Sequence, residues 1–337
     1  MEKLKIGVAG LGRIGKIHLE NILQIDSVEV IAVMDPNIKE LDYAKNKGVK
    51  ITYEKFDDLI KTNDLQAIII CTPTSTHADY VEIAAKNNIH VFCEKPLDLY
   101  IDRIVQVLEV VKKSNIKLMI GFNRRFDDEF RKVRNCIIDG KVGDPCLVKI
   151  TSRDPAPPPL DYIKTSGGIF LDMTIHDFDM ARFIIGKEID EVYVKGSTFF
   201  DKSIEQVGDI DTAVIILKYV DSSIAVIDNC RKAAYGYDQR IEVFGSKGMI
   251  QGNNIMNDNH KLHTEKGISS SLPLNFFLER YSKAYKIEIH DFIESINNNK
   301  PVSVSGEDGL KSLQIGLAAK KSLQENRPVK INEIKIK

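Results

Sequence analysis

Short apolar runs alternate with amphipathic stretches over the first 120 or so residues. Lys3–Ala9 and Val28–Met34 read as strands. So do Ala67–Cys71, with Ile68, Ile69 and Ile70 in succession, His90–Cys93 and Lys117–Ile120. Strands that are apolar throughout, rather than at every second position, predict a parallel sheet covered on both faces. Between them, Ile14–Ile25, Ala78–Lys86 and Ile101–Lys113 have helical spacing; in the last, Ile101, Ile104, Val105, Leu108 and Val111 share a stripe. Strands alternating with helices predict an α/β fold, an open doubly wound sheet of the Rossmann type.

After Gly121 the pattern changes. Leu147–Ile150, Glu191–Lys195, Thr212–Tyr219, Ile224–Asp228 and Ile241–Phe244 read as strands, some joined by tight polar turns such as Gly245-Ser246-Lys247-Gly248. That pattern predicts a large mixed or antiparallel sheet, interrupted by helices at Leu171–Ile185 and Ala284–Ile296. The expected division is therefore a dinucleotide-binding domain over residues 1–121 and a substrate-binding and oligomerisation domain over 122–337. Asp154-Pro155-Ala156-Pro157-Pro158-Pro159 is a stiff, polyproline-like loop.

Composition narrows the classes. With 43% hydrophobic and 28% charged residues, the chain can bury an ordinary core. A net charge of −1 offers no long-range attraction for nucleic acid or an anionic membrane. No apolar run approaches the ~20 residues of a membrane span, and the start does not resemble a signal peptide, so a cytoplasmic protein is expected. Five cysteines without a C-x-x-C pair argue against a disulfide framework and a thiolate zinc site. The seven histidines, His260 and His263 included, show no zinc-like spacing with cysteine, and no metal is expected.

Gly10-Leu11-Gly12-Arg13-Ile14-Gly15 stands between the first strand and the first helix. Gly10 permits a tight turn, Gly12 lets a pyrophosphate approach the backbone, and Gly15 lets the helix pack close to the strand. The free N–H groups of the helix start, from Arg13 and Ile14 on, then face the phosphates. Asp35 ends the second strand twenty positions after Gly15. A carboxylate there accepts hydrogen bonds from ribose hydroxyls and repels a 2′-phosphate, so the expected cofactor is NAD rather than NADP. Arg13 suits the adenosine or pyrophosphate, and equally an ordinary surface position. In Cys71–His77, the segment Thr72, Pro73 and Thr74 can line the middle of the dinucleotide; capping of the next helix by Thr74 or Ser75 is the competing role. His77 is read as a helix-start residue at the cofactor, without an acid–base role.

Two further segments carry chemistry. Glu94-Lys95-Pro96 follows the strand His90–Cys93 at the carboxyl edge of the sheet, where Glu94 and Lys95 can reach the nicotinamide end of the cofactor. In Gly167–Asp179, Asp172 and His176 are four apart, which on a helix places them on one face. A carboxylate that orients an imidazole suits a general base; on spacing alone, an ordinary i,i+4 pair is the stronger reading.

Taken together, Gly10–Gly15, Asp35, Cys71–His77, Glu94-Lys95-Pro96 and Asp172…His176 resemble the glucose-fructose oxidoreductase/inositol dehydrogenase (Gfo/Idh/MocA) family over essentially the whole chain. Within it, Ser152–Pro159, Gly167–Arg182, Tyr235–Arg240 and Gly306–Leu317 look most like the inositol 2-dehydrogenases. The resemblance implies NAD-dependent oxidation of myo-inositol to its 2-keto form. Lys95 would hold the reacting hydroxyl, His176 would take its proton, and Asp172 would orient His176 and touch the polyol. Arg125, Asp154 and Tyr235 are further substrate contacts under the same resemblance. For Arg125 a structural ion pair stands beside that role, and for Asp154 a loop-start role. The family's habit implies a homotetramer. Dehydrogenases of scyllo-inositol, glucose or another polyol, and a non-catalytic dinucleotide sensor, are the alternatives.

Overall fold

The computed structural model describes residues 2–335, which form two compact units. The first comprises the chain up to Asn123 together with Tyr285–Lys311; the second comprises Arg124–Ala284 with Ser312–Lys335.

The first unit is built on six parallel strands: β1 (Leu4–Ala9), β2 (Val28–Met34), β3 (Ile51–Tyr53), β4 (Ala67–Ile70), β5 (His90–Glu94) and β6 (Leu118–Gly121). Their order is β3-β2-β1-β4-β5-β6. Every residue of β4 is fully buried, as its unbroken apolar run requires. The order reverses between β1 and β4, so the segments after Ala9 and Ile70 leave the sheet side by side; this is the switch point where doubly wound sheets bind ligands. The apolar pattern passes over β3 and the helix Ile38–Asn46, because the strand is only three residues long and Ile51 and Ile38 are exposed.

Residues 285–311 group with this unit, although a single cut near Gly121 would assign them to the second domain. Phe292 meets Phe92 of β5 edge to face at 5.9 Å, and the Ile120 N–H bonds the Val304 carbonyl at 3.1 Å.

The second unit holds a mixed sheet of seven strands. These are β7 (Pro145–Arg153), β8 (Ile189–Ser197), β9 (Thr212–Tyr219), β10 (Ile224–Cys230), β11 (Asp238–Gly245) and β12 (Gly248–Gly252), with β15 (Val329–Lys330) at one edge. A small exposed hairpin pairs β13 (Lys261–Thr264) with β14 (Gly267–Ser270). In the large sheet β7 and β10 run parallel, while the other neighbours are antiparallel. Burial along β9 alternates strictly: Ala213, Ile215, Leu217 and Tyr219 face the core, while Val214 and Ile216 are exposed.

The helix expected at Leu171–Ile185 is two helices, Gly168–Asp172 and Ile175–Ile185. Thr174 causes the break. Its N–H reaches back five residues to the Ile169 carbonyl (2.8 Å), and its hydroxyl bonds Asn229 Oδ1 on β10 (2.5 Å). Asp172 and His176 therefore stand on either side of an interruption, and the simple four-apart geometry of one helix does not apply to them. Among the described residues no helix is long and apolar enough to cross a membrane, and all five cysteines are free thiols.

Candidate active site

In the first unit the glycine loop follows β1. Gly10 has φ +87°, and a Cβ there would lie 2.7 Å from the Cys71 carbonyl. At Gly15 a Cβ would fall 1.9 Å from the Gly10 carbonyl oxygen. Both glycines are therefore required by the packing of the loop on itself and on the end of β4. Gly12 differs: nothing lies within 4 Å of its Cβ position, and Gly12 and Arg13 are exposed. The ten-residue helix Arg13–Ile22 begins there without a side-chain cap. Open space over uncapped N–H groups fits the pyrophosphate of a dinucleotide.

Asp35 is buried at the end of β2. Its carboxylate accepts the Leu11 N–H at 2.7 Å and the Asn37 N–H at 2.8 Å. Two backbone bonds leave lone pairs for ribose hydroxyls.

After β4, Thr72 Oγ1 lies 2.6 Å from Thr76 Oγ1. The helix Thr74–Lys86 starts from Pro73 with no side-chain cap, so neither Thr74 nor Ser75 caps it. His77 is buried, and its two ring nitrogens face the Pro96 carbonyl (2.8 Å) and the Thr72 carbonyl (2.7 Å). Burial pushes its pKa down. The imidazole thus lies between two loops at the carboxyl edge, and its neutral form donates to one of the two carbonyls. Glu94 Oε1 meets His18 Nε2 at 2.8 Å. Lys95 follows it, half-buried, between the segment held by His18 and the one held by His77.

In the second unit, Asp172 Oδ1 accepts the Tyr162 hydroxyl at 3.0 Å, and Oδ2 lies 3.5 Å from Arg231 Nη1. Arg231 is almost fully buried and also faces Asp209 Oδ2 at 3.4 Å. Asp209 in turn accepts the Ile169 N–H at 3.0 Å, next to Gly168, where a Cβ would come within 2.7 Å of the same carboxylate. Asp154 joins this group. Its N–H and carbonyl bond Cys230 and Ala233 on either side of Arg231 (2.8 and 2.7 Å). Desolvation raises its carboxyl pKa to about 7, against the pull of Arg231 and Arg124. His176 sits half-buried in the first turn of the helix Ile175–Ile185.

Arg125 has an ion-pair partner, Asp179. It is buried and binds Asp179 bidentately, Nε to Oδ2 at 2.8 Å and Nη2 to Oδ1 at 2.6 Å. Tyr235 is held by Arg153 Nη1 (2.9 Å) and by Asp238 Oδ2 (2.5 Å).

Several residues of this region escape sequence reasoning. Arg231 and Asp209 lie 22 apart with no motif. Arg124, the neighbour of the arginine singled out above, is the centre of a buried network. Its Nη1 bonds Asp177 Oδ1 at 2.5 Å and its Nη2 bonds Ser152 Oγ at 3.3 Å, while Asn229 Nδ2 bonds Asp177 Oδ2 at 2.9 Å. Since Asn229 also holds Thr174, this network sets where the helix bearing His176 begins.

Comparison with known proteins is consistent along the whole chain. The family model described as "Oxidoreductase family, NAD-binding Rossmann fold" matches residues 4–122, and "GFO/IDH/MocA C-terminal domain" matches 130–251. The chain is 49% identical to a myo-inositol 2-dehydrogenase of Thermotoga maritima, over 98% of this chain and 99% of that protein. It is 43% identical to an inositol 2-dehydrogenase of Rhizobium meliloti, over 97% and 99%. A solved scyllo-inositol dehydrogenase from Lactobacillus casei, with bound NAD(H) and scyllo-inositol, superposes with a TM-score of 0.92 at 35% identity, covering 98% of this chain and 100% of that one.

Proposed function

The chain belongs to the GFO/IDH/MocA oxidoreductase family, and on that premise we propose that it oxidises myo-inositol to 2-keto-myo-inositol with NAD. The observation that carries this reading is the 49% identity, nearly end to end, with a protein of that activity. NAD supplies the chemistry of hydride acceptance at its nicotinamide. The chain's own residues bind, orient and move the proton. Gly12 and the start of the helix Arg13–Ile22 would hold the pyrophosphate, and Asp35 the adenosine ribose. Lys95, carried by the first unit, would hydrogen-bond the reacting hydroxyl oxygen.

His176, carried by the second unit, would take the hydroxyl proton as the carbinol C–H leaves with its electron pair and the C–O bond becomes a carbonyl. The neutral imidazole is the form that can accept a proton. Asp172, Arg231 and Asp154 offer acceptors and a donor to a ring of hydroxyls, and an uncharged polyol needs both kinds. Arg125, paired with Asp179, and Tyr235, held by Arg153 and Asp238, would frame the polyol site.

Scyllo-inositol is the second reading, favoured by the 35% identity with the scyllo-inositol dehydrogenase. Side-by-side measurement of kcat/KM for myo-inositol, scyllo-inositol and D-glucose, with NAD and with NADP, separates them. Myo-inositol with NAD is expected to lead. Oxidation of another sugar but not of myo-inositol would overturn the substrate while leaving the family intact.

We propose a homotetramer as well. On one face of the large sheet, Val214, Ile216 and Ile224 on β9 and β10, and Phe244 and Met249 on β11 and β12, are exposed on either side of β7, the kind of patch that a second copy covers. Light scattering on the purified protein reads this directly, and a monomer would reject it.

A further inference from the structure

Beneath the carboxyl edge of the first unit's sheet lies a group of three ionisable side chains, of which His18 and Glu288 are fully buried and Glu94 half-buried. His18, on the helix that opens at Gly12, is fully buried, with its ring edge to face against Phe92 (5.1 Å) and Tyr285 (5.7 Å). Its Nε2 contacts Glu94 Oε1 at 2.8 Å. Glu288, on the helix Ser282–Asn297, is also fully buried, with Oε1 4.0 Å from the same nitrogen. Neither oxygen of Glu288 has a hydrogen-bond partner among the described residues. On the opposite strand, Gly121 makes room for Glu94: a Cβ there would lie 3.0 Å from its carboxylate.

A fully buried Glu288 carboxylate, ionised beside the half-buried Glu94 carboxylate, would be costly. A cation or a proton must balance them. The three side chains bring ligand atoms within 4.8 Å of one another, which would admit a metal ion. The 2.8 Å separation of His18 and Glu94 is instead the length of a hydrogen bond, with a proton between nitrogen and oxygen. A proton also needs no hydrated route past the aromatic walls. Burial and the charge of Glu94 both push the Glu288 carboxyl well up, toward the neutral acid.

We propose that His18 is a positioning residue for Lys95, acting through Glu94, with Glu288 beside them as a neutral acid. The bond from His18 pins the side chain immediately before Lys95 to the helix that begins at the dinucleotide loop. On the far side of Lys95, His77 Nδ1 lies 2.8 Å from the Pro96 carbonyl. The lysine is thereby fixed from both neighbours, and its placement is tied to that of the glycine loop. The catalytic consequence rests on the role proposed above for Lys95; the placement itself does not.

The test uses the full chain with His18→Phe, His18→Gln, Glu94→Gln and Glu288→Gln. One readout is the rate at which an amine-selective acylating reagent modifies Lys95, followed by peptide mass spectrometry, with exposed Lys112 as internal control. The other is kcat and KM for myo-inositol, with the Kd for NAD. His18→Phe should change the Lys95 rate by about threefold or more and lower kcat about tenfold to a hundredfold, with NAD affinity within about twofold. Glu94→Gln should move Lys95 in the same direction, and decides the matter where His18→Phe does not fold. His18→Gln, whose amide can still reach Glu94, should recover most of both losses. Glu288→Gln, an isostere of the neutral acid, should leave melting temperature and Lys95 rate unchanged. A Lys95 rate unmoved in both His18→Phe and Glu94→Gln overturns the proposal. So does near-stoichiometric metal in the wild-type protein. Absence of inositol oxidation by the wild type, with the Lys95 rate still shifted in the variants, would sink the substrate reading and leave the positioning role standing.

Discussion

The Asp35 carboxylate accepts the Leu11 N–H at 2.7 Å, so the acidic residue at the end of β2 is a structural part of the glycine loop it faces. It has two jobs: shaping the loop and, as proposed, meeting the ribose. Asp35→Ser should therefore weaken NAD binding about tenfold or more, because charge-assisted backbone bonds are lost along with ribose contacts. NADP should lose less, since the like charge disappears at the same time. The ratio of kcat/KM for the two cofactors should narrow. A wild-type enzyme that uses NADP as well as NAD would remove the basis for this assignment.

Asp154 gives a pH prediction. Its carboxyl titrates at about 7 in the folded chain, raised by desolvation, against an ordinary value of 3.8. Between those values the folded state binds more protons than the unfolded state, so this group's contribution to stability falls as pH rises, and is constant above about 7. Asp154→Asn removes the dependence. The wild type should thus lose melting temperature relative to the variant between pH 4 and pH 8, with the steepest change before neutrality. Parallel melting curves over that range would show that Asp154 is ionised throughout.

Much of the first unit was legible because its signals are local. Gly10, Gly15 and Asp35 each have a backbone reason that acts within the glycine loop or against the end of the neighbouring strand, and β4 announces itself by an unbroken apolar run. The second unit was less legible because its decisive contacts join distant residues. The helix break before His176 depends on Thr174 meeting Asn229, 55 positions away, so the apolar spacing of Leu171–Ile185 looks continuous. Arg231 carries no local pattern, and the partners that give it meaning come from the turn at Asp172 and from Asp209. Residues 285–311 group with the first unit through Phe292 and Val304, contacts that no composition shift along the chain could signal.

Arg231 bridges Asp172 and Asp209 from a position that is almost fully buried. Its removal leaves carboxylates without their counter-charge. Arg231→Met should cost about 3 kcal/mol or more of stability, the usual penalty for breaking a buried pair from one side. Arg231→Lys keeps the charge but not the planar fork whose separate nitrogens reach Asp172 and Asp209. It should fold, with kcat/KM for inositol reduced through misplacement of Asp172. Chemical denaturation of the first variant and steady-state kinetics of the second check the two halves. A methionine variant as stable as wild type would show that the long contacts to Arg231 contribute little.

His176 is the sharpest test of mechanism. If it accepts the hydroxyl proton, its deletion must act on the chemical step. Neither NAD binding nor folding should suffer, since the imidazole is half-buried in the first turn of its helix and belongs to the unit that does not contain the glycine loop. His176→Ala should therefore lower kcat by about 10²–10⁴, the range for loss of a positioned general base. The Kd for NAD should stay within about twofold, and the melting temperature should barely move. The residual rate should climb with pH, because hydroxide or a more ionised alcohol replaces the missing acceptor. The wild-type rate should instead level off once the imidazole is neutral. That difference in pH profile distinguishes a base from a residue that merely shapes the site, which would lower the rate equally at every pH. A variant that turns over as fast as the wild type at neutral pH would rule out His176 as the base and would direct attention to Lys95 as the proton acceptor.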